Sequence, residues 1–147
     1  MSALQISSPE FEHNETIPQR YTCQGEDINP PLRIQNVPEG TESLALIMDD
    51  PDAPIGTFDH WIVFDIDPEI GLIEENTIPG VEGSNTFGRV NYGGPCPPDG
   101  EHRYFFKIYA LDKKLELEEG VSREEMEREM EEHIIEQAEL IGLYEKT

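Results

Sequence analysis

Residues 103–111 read RYFFKIYAL, and this stretch indicates the fold class. Side chains of a β-strand point alternately to the two faces of its sheet. Here both faces are apolar or aromatic: Tyr104, Phe106, Ile108 and Ala110 on one, and Phe105, Tyr109 and Leu111 on the other. A strand with two apolar faces is typical of a layered structure in which the sheet is covered on both sides.

Further strands are predicted on both sides of this one, because short apolar runs rich in β-branched and aromatic residues end at Pro, Gly or Asp. The clearest are SLALIM (43–48) and WIVFDI (61–66), and weaker candidates are LQI (4–6), TIPQRYT (16–22) and LRI (32–34). Between them, residues 68–101 are rich in glycine and proline and lack periodicity. A loop of that length in a compact domain is uncommon and is often functional.

The last third of the chain has a helical pattern. Ser122 and Glu125 have the spacing of a capping box. Apolar residues then recur every four positions: Met126, Met130, Ile134 and Ala138. This predicts an amphipathic helix over 123–141 that ends at Gly142. We therefore expect one domain over residues 1–147, mainly β: a β-sandwich of antiparallel sheets with a peripheral C-terminal α-helix.

The chain is strongly acidic, with 10 Lys and Arg residues against 32 Asp and Glu residues and a net charge of −22. Such a field repels nucleic acid and anionic lipid surfaces, so we expect neither as a partner. One interpretation of the acidity is adaptation to a high-salt cytosol, as in a halophile. The other is a glutamate-rich helix on an ordinary acidic protein. Equal stability at low and molar KCl would exclude the first.

No stretch approaches the roughly 18 consecutive apolar residues of a membrane span, so no integral membrane contact is expected. The first residues, MSALQISSPEFEHNE, have neither the basic nor the apolar region of a secretory signal. These features predict a cytoplasmic protein. Cys23 and Cys96 form no C-x-x-C pair, which argues against structural zinc. They are either two reduced thiols or a disulfide, if the fold brings them together.

Three polar segments are candidates for a site. His102 and Tyr104 are two residues apart on a predicted strand and therefore share a face. In DPDAP (50–54), the prolines stiffen the chain around two aspartates, and a cis Ala53–Pro54 bond is one option there. In NYGGPCPPDGEH (91–102), paired glycines allow close backbone approach, and their amides can form an anion-binding concavity.

Enzyme chemistry has little support in these segments. A calcium loop lacks its distal glutamate, and a metal site built from Asp50, His60 and His102 has no diagnostic spacing. No G-x-S-x-G motif is present, and Cys96 lies between prolines with no helix N-terminus to activate it. We expect no catalytic residues, metal or other cofactor. A hydrolase or metal-dependent enzyme that uses the same residues is the remaining enzymatic alternative.

Together the segments resemble the phosphatidylethanolamine-binding protein family, which includes the Raf kinase inhibitor protein. The matching stretches, in the family's order, are YTCQGEDINPPL (21–32), MDDPDAP (48–54), DHW (59–61), GSNTFGRVNYGGPCPP (83–98) and HRYFFKIYALD (102–112). The length and the two cysteine motifs are similar to the short bacterial and archaeal branch. The resemblance implies a Greek-key β-sandwich with a small pocket at one end.

The resemblance also implies a ligand-binding set: Asp50, Asp52, Pro54, His60, Gly94, Pro95, His102 and Tyr104. It implies a protein with a regulatory role that binds a small anion or phosphorylated head group. It also implies that the protein is a homodimer. A serine protease or kinase inhibitor that acts through its surface is the alternative it leaves open, with that protease or kinase as partner.

The chemistry of this set explains why aspartates lie in an anion pocket. A carboxylate that accepts a hydrogen bond from an imidazole raises the pKa of the ring and so favours its charged form. We expect Asp50 to act in this way on His60 or His102. The Tyr104 hydroxyl and the Gly94 amide would complete the donors. Arg103 falls on the opposite face by alternation and is not expected to anchor the anion.

Overall fold

The structure is a computed structural model that describes residues 3–147. Its strands are β1 (Gln5–Ser7), β2 (Glu15–Thr16), β3 (Leu32–Gln35), β4 (Ser43–Asp50), β5 (Phe58–Ile66), β6 (Leu72–Ile73), β7 (Val81–Glu82), β8 (His102–Leu111) and β9 (Ile134–Tyr144). A 3₁₀ helix, Gln19–Tyr21, precedes β3, and one α-helix, α1 (Arg123–Met130), lies between β8 and β9. No helix within residues 3–147 is long and apolar enough to cross a membrane.

The strands form two sheets that pack as a sandwich. The small sheet has the order β1-β3-β6, and the large sheet has the order β2-β9-β8-β4-β5-β7. All pairs are antiparallel except the short β2–β9 pair. Within the large sheet, β4, β5 and β7 lie side by side in the order of the chain, with β6 of the small sheet between β5 and β7 in sequence, and β8 returns beside β4. This 4-1-2-3 order is a Greek key, so the predicted sandwich is confirmed.

The large sheet is covered on both faces at β4, whereas in β8 the face of Phe105 and Tyr109 is only partly buried, so the prediction of two covered faces for residues 103–111 holds only in part. All eight residues of β4 are buried. Its even-numbered positions from Leu44 to Met48 join the core between the two sheets, together with Phe106 and Ile108 of β8. Ala45 and Ile47 instead pack on the outer face against α1. Covering both faces fixes the ends of the central strands, where the candidate site lies.

The helix α1 begins where the capping box predicts. The Ser122 hydroxyl accepts a hydrogen bond from the Glu125 amide over 3.1 Å. Met126 and Met130 are buried against the outer face of the large sheet. Arg123, the first helical residue, bonds Asp49 of β4 over 2.8 Å and Asp59 of β5 over 2.6 Å. These bonds attach the start of α1 to the strand ends beside the candidate site.

The helix predicted over 123–141 is wrong beyond Met130. The chain turns at 131–133 and continues as β9, which pairs antiparallel with the whole of β8. A spacing of four fits both the helical period of 3.6 and the strand period of 2, so Ala138 fits either structure. Gly142, predicted as the helix end, lies inside β9, where an added Cβ would meet Ile17 at 2.5 Å.

The other strand predictions have mixed outcomes. The strands predicted at 4–6, 32–34, 43–48, 61–66 and 103–111 are found within one to three residues of their predicted bounds. The strand predicted at 16–22 is wrong: only its first residue is in a strand, and the 3₁₀ helix follows. No cis peptide bond occurs among the described residues, so the cis option at Ala53–Pro54 is wrong. Residues 1 and 2 of the predicted domain lie outside the described part.

Candidate functional site

A cavity of about 260 Å³ opens between the strand ends of the large sheet. β4 ends there at Asp50, while β5 and β8 begin there. The cavity wall combines four polar side chains with an apolar remainder: Asp50, His60, His102 and Tyr104, with Ala53, Pro54, Ile55, Phe58, Phe87, Cys96, Pro97 and Pro98. The four polar residues come from three strands that are adjacent in the sheet, so a rigid framework holds them together.

His102 is paired with Asp50. The ring donates from Nδ1 to Oδ2 of Asp50 over 2.7 Å, and both residues are buried. Burial by itself lowers the pKa of His102, but the hydrogen bond and negative charge of Asp50 outweigh it and raise that pKa above its usual value. The ring is thereby favoured as an imidazolium. Its other nitrogen, Nε2, is 3.8 Å from the nearest carboxylate, that of Asp99, and is available to a ligand.

His60 reaches the cavity through a β-bulge. Met48 pairs with Trp61, but the next residue, Asp49, pairs with Asp59, so His60 has no partner residue on β4. Bulges of this kind redirect a side chain, and they are frequent next to functional sites. His60 donates from Nδ1 to the Gly93 carbonyl over 2.7 Å. Burial lowers the pKa of His60, so its ring is favoured as a neutral imidazole.

Tyr104 lies between the two histidines. Its ring stands edge-on to His60 with centroids 5.2 Å apart and is nearly parallel to His102 with centroids 6.5 Å apart. Burial, followed by the negative charge of Asp50, raises the pKa of Tyr104 far above its usual value. The hydroxyl therefore remains protonated; it donates to the Asp50 carboxylate and accepts from the Cys96 amide.

Three residues of the predicted set lie outside the cavity wall. Asp52 binds Arg103 with two side-chain hydrogen bonds of 2.8 and 2.9 Å and also accepts from the Arg103 amide over 2.9 Å. The prediction of Gly94 as an anion donor is wrong, because its amide already donates to Asp27 over 2.7 Å. The Pro95 carbonyl accepts from the Cys23 amide. All three fix the loops around the cavity.

The sequence predicts that Asp50 orients His60 or His102, and in the structure Asp50 binds His102. Arg103 is half exposed and held by Asp52, so the prediction that it does not anchor the anion fits this geometry. Pro54 lines the cavity as predicted.

The sequence prediction missed the apolar walls of the cavity. Phe58 and Phe87 pack edge to face with centroids 4.7 Å apart, and both rings also contact His60. Phe87 belongs to the long loop at 68–101, whose length indicates function. Gly93 must be a glycine here because an added Cβ would collide with the Phe87 ring. Asp27, which accepts from the Gly94 amide, lies in the stretch at 21–32 that carries the family resemblance, but its role was also missed.

The two cysteines are joined in a disulfide bond, Cys23–Cys96. This resolves the alternative that the sequence leaves open. Cys96 is part of the cavity wall. The bond therefore ties that wall to the segment that follows the 3₁₀ helix.

The metal site considered for Asp50, His60 and His102 does not fit this arrangement. Asp50 binds the Nδ1 atom of His102 and so acts as a partner of that ring, not as a third ligand beside the two histidines. Within residues 3–147, no group of three or more His, Cys, Asp or Glu side chains is arranged to hold a metal ion.

Comparisons with known proteins agree with this fold. The phosphatidylethanolamine-binding protein family profile matches residues 7–145. A UPF0098 protein of Pyrococcus horikoshii is 49% identical over an alignment of 154 positions, which covers 98% of this chain and 77% of that protein. The crystal structure of a phosphatidylethanolamine-binding protein homologue from Chlamydia trachomatis matches with a TM-score of 0.96 and 45% identity over 99% of both chains.

The crystal structure of YbcL from E. coli, described as a new member of the mammalian PEBP family, also matches. Its TM-score is 0.91 at 30% identity, over 99% of this chain and 100% of YbcL. The match of the family profile to nearly the whole chain and the agreement of these folds lead to one conclusion. This chain belongs to the phosphatidylethanolamine-binding protein family.

Proposed function

We propose that this chain binds a small phosphorylated or otherwise anionic ligand in the cavity, as a binding protein with a regulatory role. The observation that carries the proposal is the Asp50–His102 pair. It supplies a buried imidazole whose charged form Asp50 favours, and whose Nε2 is left for a ligand. Tyr104 adds a protonated hydroxyl beside it. A charge-assisted hydrogen bond is shorter and about twice as strong as a neutral one.

The charge of the whole molecule limits the ligand to a small one. At a net charge of −22 the surface repels extended anions such as nucleic acid. The described residues that line the cavity include no lysine or arginine. Binding therefore depends on a few donors at short range and on the shape of the cavity.

The apolar walls favour a ligand that carries a short apolar group next to its anion. Phe58, Phe87 and Pro97 are part of the wall. Phe87 remains 40% exposed and Ile55 is 86% exposed in the structure, so both can lose apolar surface when such a group binds. An aryl or short alkyl phosphate monoester combines both features, and phenyl phosphate is a suitable probe.

Titration calorimetry with phenyl phosphate tests the proposal. The native protein is expected to bind it, and His102→Gln is expected to weaken the affinity at least about tenfold, because a hydrogen bond to a charged group contributes roughly 1.5–3 kcal/mol. His133→Gln is the matched control, since His133 is exposed and pairs with Asp112. Absence of binding at millimolar ligand, or equal affinity of native protein and His102→Gln, would contradict the proposal.

A serine protease or kinase inhibitor that acts through its surface is the second candidate. Ile55, exposed on the rim of the cavity, is the observation that favours it. The two candidates differ in what His60→Ala does: it removes anion binding in the first and leaves the protein complex intact in the second. We propose no catalytic activity. A hydrolase or metal-dependent enzyme that uses the same cavity is the third alternative.

A further inference from the structure

The two cavity histidines differ in the hydrogen-bonding role of the nitrogen that each leaves for a ligand. A backbone carbonyl can only accept, so the 2.7 Å bond to Gly93 requires the proton of His60 to be on Nδ1. In a neutral ring, Nε2 then carries a lone pair and accepts. No described residue donates a hydrogen bond to that atom.

His102 has the opposite role. Its Nδ1 donates to the Asp50 carboxylate over 2.7 Å. As an imidazolium it also has a proton on Nε2, which therefore donates. The cavity presents one accepting nitrogen, one donating nitrogen and the hydroxyl of Tyr104.

The net charge of the cavity wall also limits the charge of the ligand. In the cavity wall, Asp50 is negative and the His102 imidazolium is positive. The net charge of this ion pair is zero. Arg103, which follows His102 in the chain, is already held by Asp52 in two side-chain hydrogen bonds. The cavity therefore has no net positive charge to balance a dianion, and a ligand with a single negative charge costs less to bring out of water.

From these positions we infer that the cavity takes its ligand as a singly protonated monoanion. In the bound state the ligand's own O–H donates to Nε2 of His60, and a ligand oxygen accepts from Nε2 of His102. This deepens the proposed function and rests on it. The ligand class is a phosphate monoester in its monoanionic form, in preference to a sulfate ester or sulfonate, which has the same charge but no proton.

Phenyl phosphate and phenyl sulfate test the inference because they have nearly the same shape. At about pH 6, close to the second pKa of a phosphate monoester, about half of the phenyl phosphate is the monoanion. Native protein is expected to bind phenyl phosphate at least about fivefold more tightly than phenyl sulfate in calorimetry. In His60→Gln, whose amide can donate to either ligand, this preference is expected to fall to about twofold or less.

The pH of the comparison is chosen from the groups around both rings. The charged groups that act on His102 are Asp50, Asp52 and Asp99, and those that act on His60 are Asp49, Asp50 and Asp59. Asp49 and Asp59 are themselves paired with Arg123, and Asp49 also binds Lys107. Both probes are measured at one pH, so the free protein has the same protonation state in the two measurements.

Nitrogen-15 NMR of the native protein provides a measurement that needs no variant. It is expected to show His60 with its proton on Nδ1 and none on Nε2 in the free protein. Equal affinity for the two probes, tighter binding of phenyl sulfate, or a protonated His60 Nε2 in the free protein would overturn the inference alone. If neither probe binds, the proposed function fails and the inference fails with it.

Discussion

Asp50 and Asp52 differ by two positions in the chain, yet they have different partners. Asp50 lies at the end of β4 and binds His102 inside the cavity, whereas Asp52 lies in the following turn and binds Arg103 at the surface. The family resemblance puts both aspartates in the ligand-binding set, and the prolines of DPDAP leave the directions of their side chains open. The turn separates their roles, and no local pattern reports where its side chains point.

Asp50→Asn is expected to change the pH dependence of ligand binding. Asp50 raises the pKa of His102, so its removal lowers that pKa, and the ring loses its charge at a lower pH. Affinity for phenyl phosphate relative to native protein is expected to fall about tenfold at pH values between the lowered pKa of the variant and the raised pKa of native His102, and to recover below both. Calorimetry at several pH values measures this.

Asp52→Asn is the control for this experiment. Asp52 acts on His102 only through its more distant charge, and its hydrogen bonds go to Arg103. We expect a pH profile close to that of native protein. Profiles of Asp50→Asn and native protein that coincide would show that Asp50 does not set the charge of His102.

At the scale of elements, β9 shows where local patterns fail. Residues 123–130 contain the capping box and both buried methionines, and these local signals predict α1 correctly. Beyond Met130 the chain pairs with β8, some 30 residues away in sequence, and a propensity argument does not include that pairing. Ile134, Ile135 and Ile141 are β-branched residues, which favour a strand, but the spacing of four concealed the alternation.

The bulge at His60 and the bond of Gly94 to Asp27 are also non-local. The sequence identifies the polar residues of the cavity because they occur in family motifs. Most apolar wall residues also lie in or beside these motifs, but they come from separate parts of the chain, β5 and the loops at 51–57 and 83–101, so their assembly depends on tertiary packing. Phe87 is 29 residues from Phe58 in the chain and packs against it only in the folded molecule.

The disulfide connects two loops that are 73 residues apart in sequence. In the chain-entropy description, closing a loop of that length stabilises the fold by about 4 kcal/mol, because it restricts the unfolded chain. Cys23→Ser is therefore expected to lower the free energy of unfolding by about 2–4 kcal/mol in urea denaturation. Native protein with reductant is the matched comparison. A loss below about 1 kcal/mol in both would contradict this role.

At the scale of the whole molecule, the negative field makes the cavity an exception. The large excess of acidic residues surrounds it, while Arg20, Arg103, Lys107 and Arg123 are each engaged by carboxylates. We therefore assign anion binding to the imidazoles of His60 and His102 and the phenol of Tyr104, which act at short range. The predicted homodimer, and the two interpretations of the acidity, stay predictions.

The cytoplasmic location also stays a prediction, and the Cys23–Cys96 bond counts against it. Disulfides are rare in a reducing cytosol, although intracellular proteins of hyperthermophiles are an exception. Reactive-thiol counting on protein isolated under conditions that trap thiols would measure the redox state in the cell.

The central claim is that the anion binds between His60 and His102. The chain has two further histidines, His13 and His133, which lie outside the cavity and serve as internal references. Histidine ring NMR during titration with inorganic phosphate tests the claim most directly. The account predicts that the signals of His60 and His102 shift together to saturation while the other two stay in place. Unmoved His60 and His102 signals at millimolar phosphate, or equal shifts of all four, would contradict it.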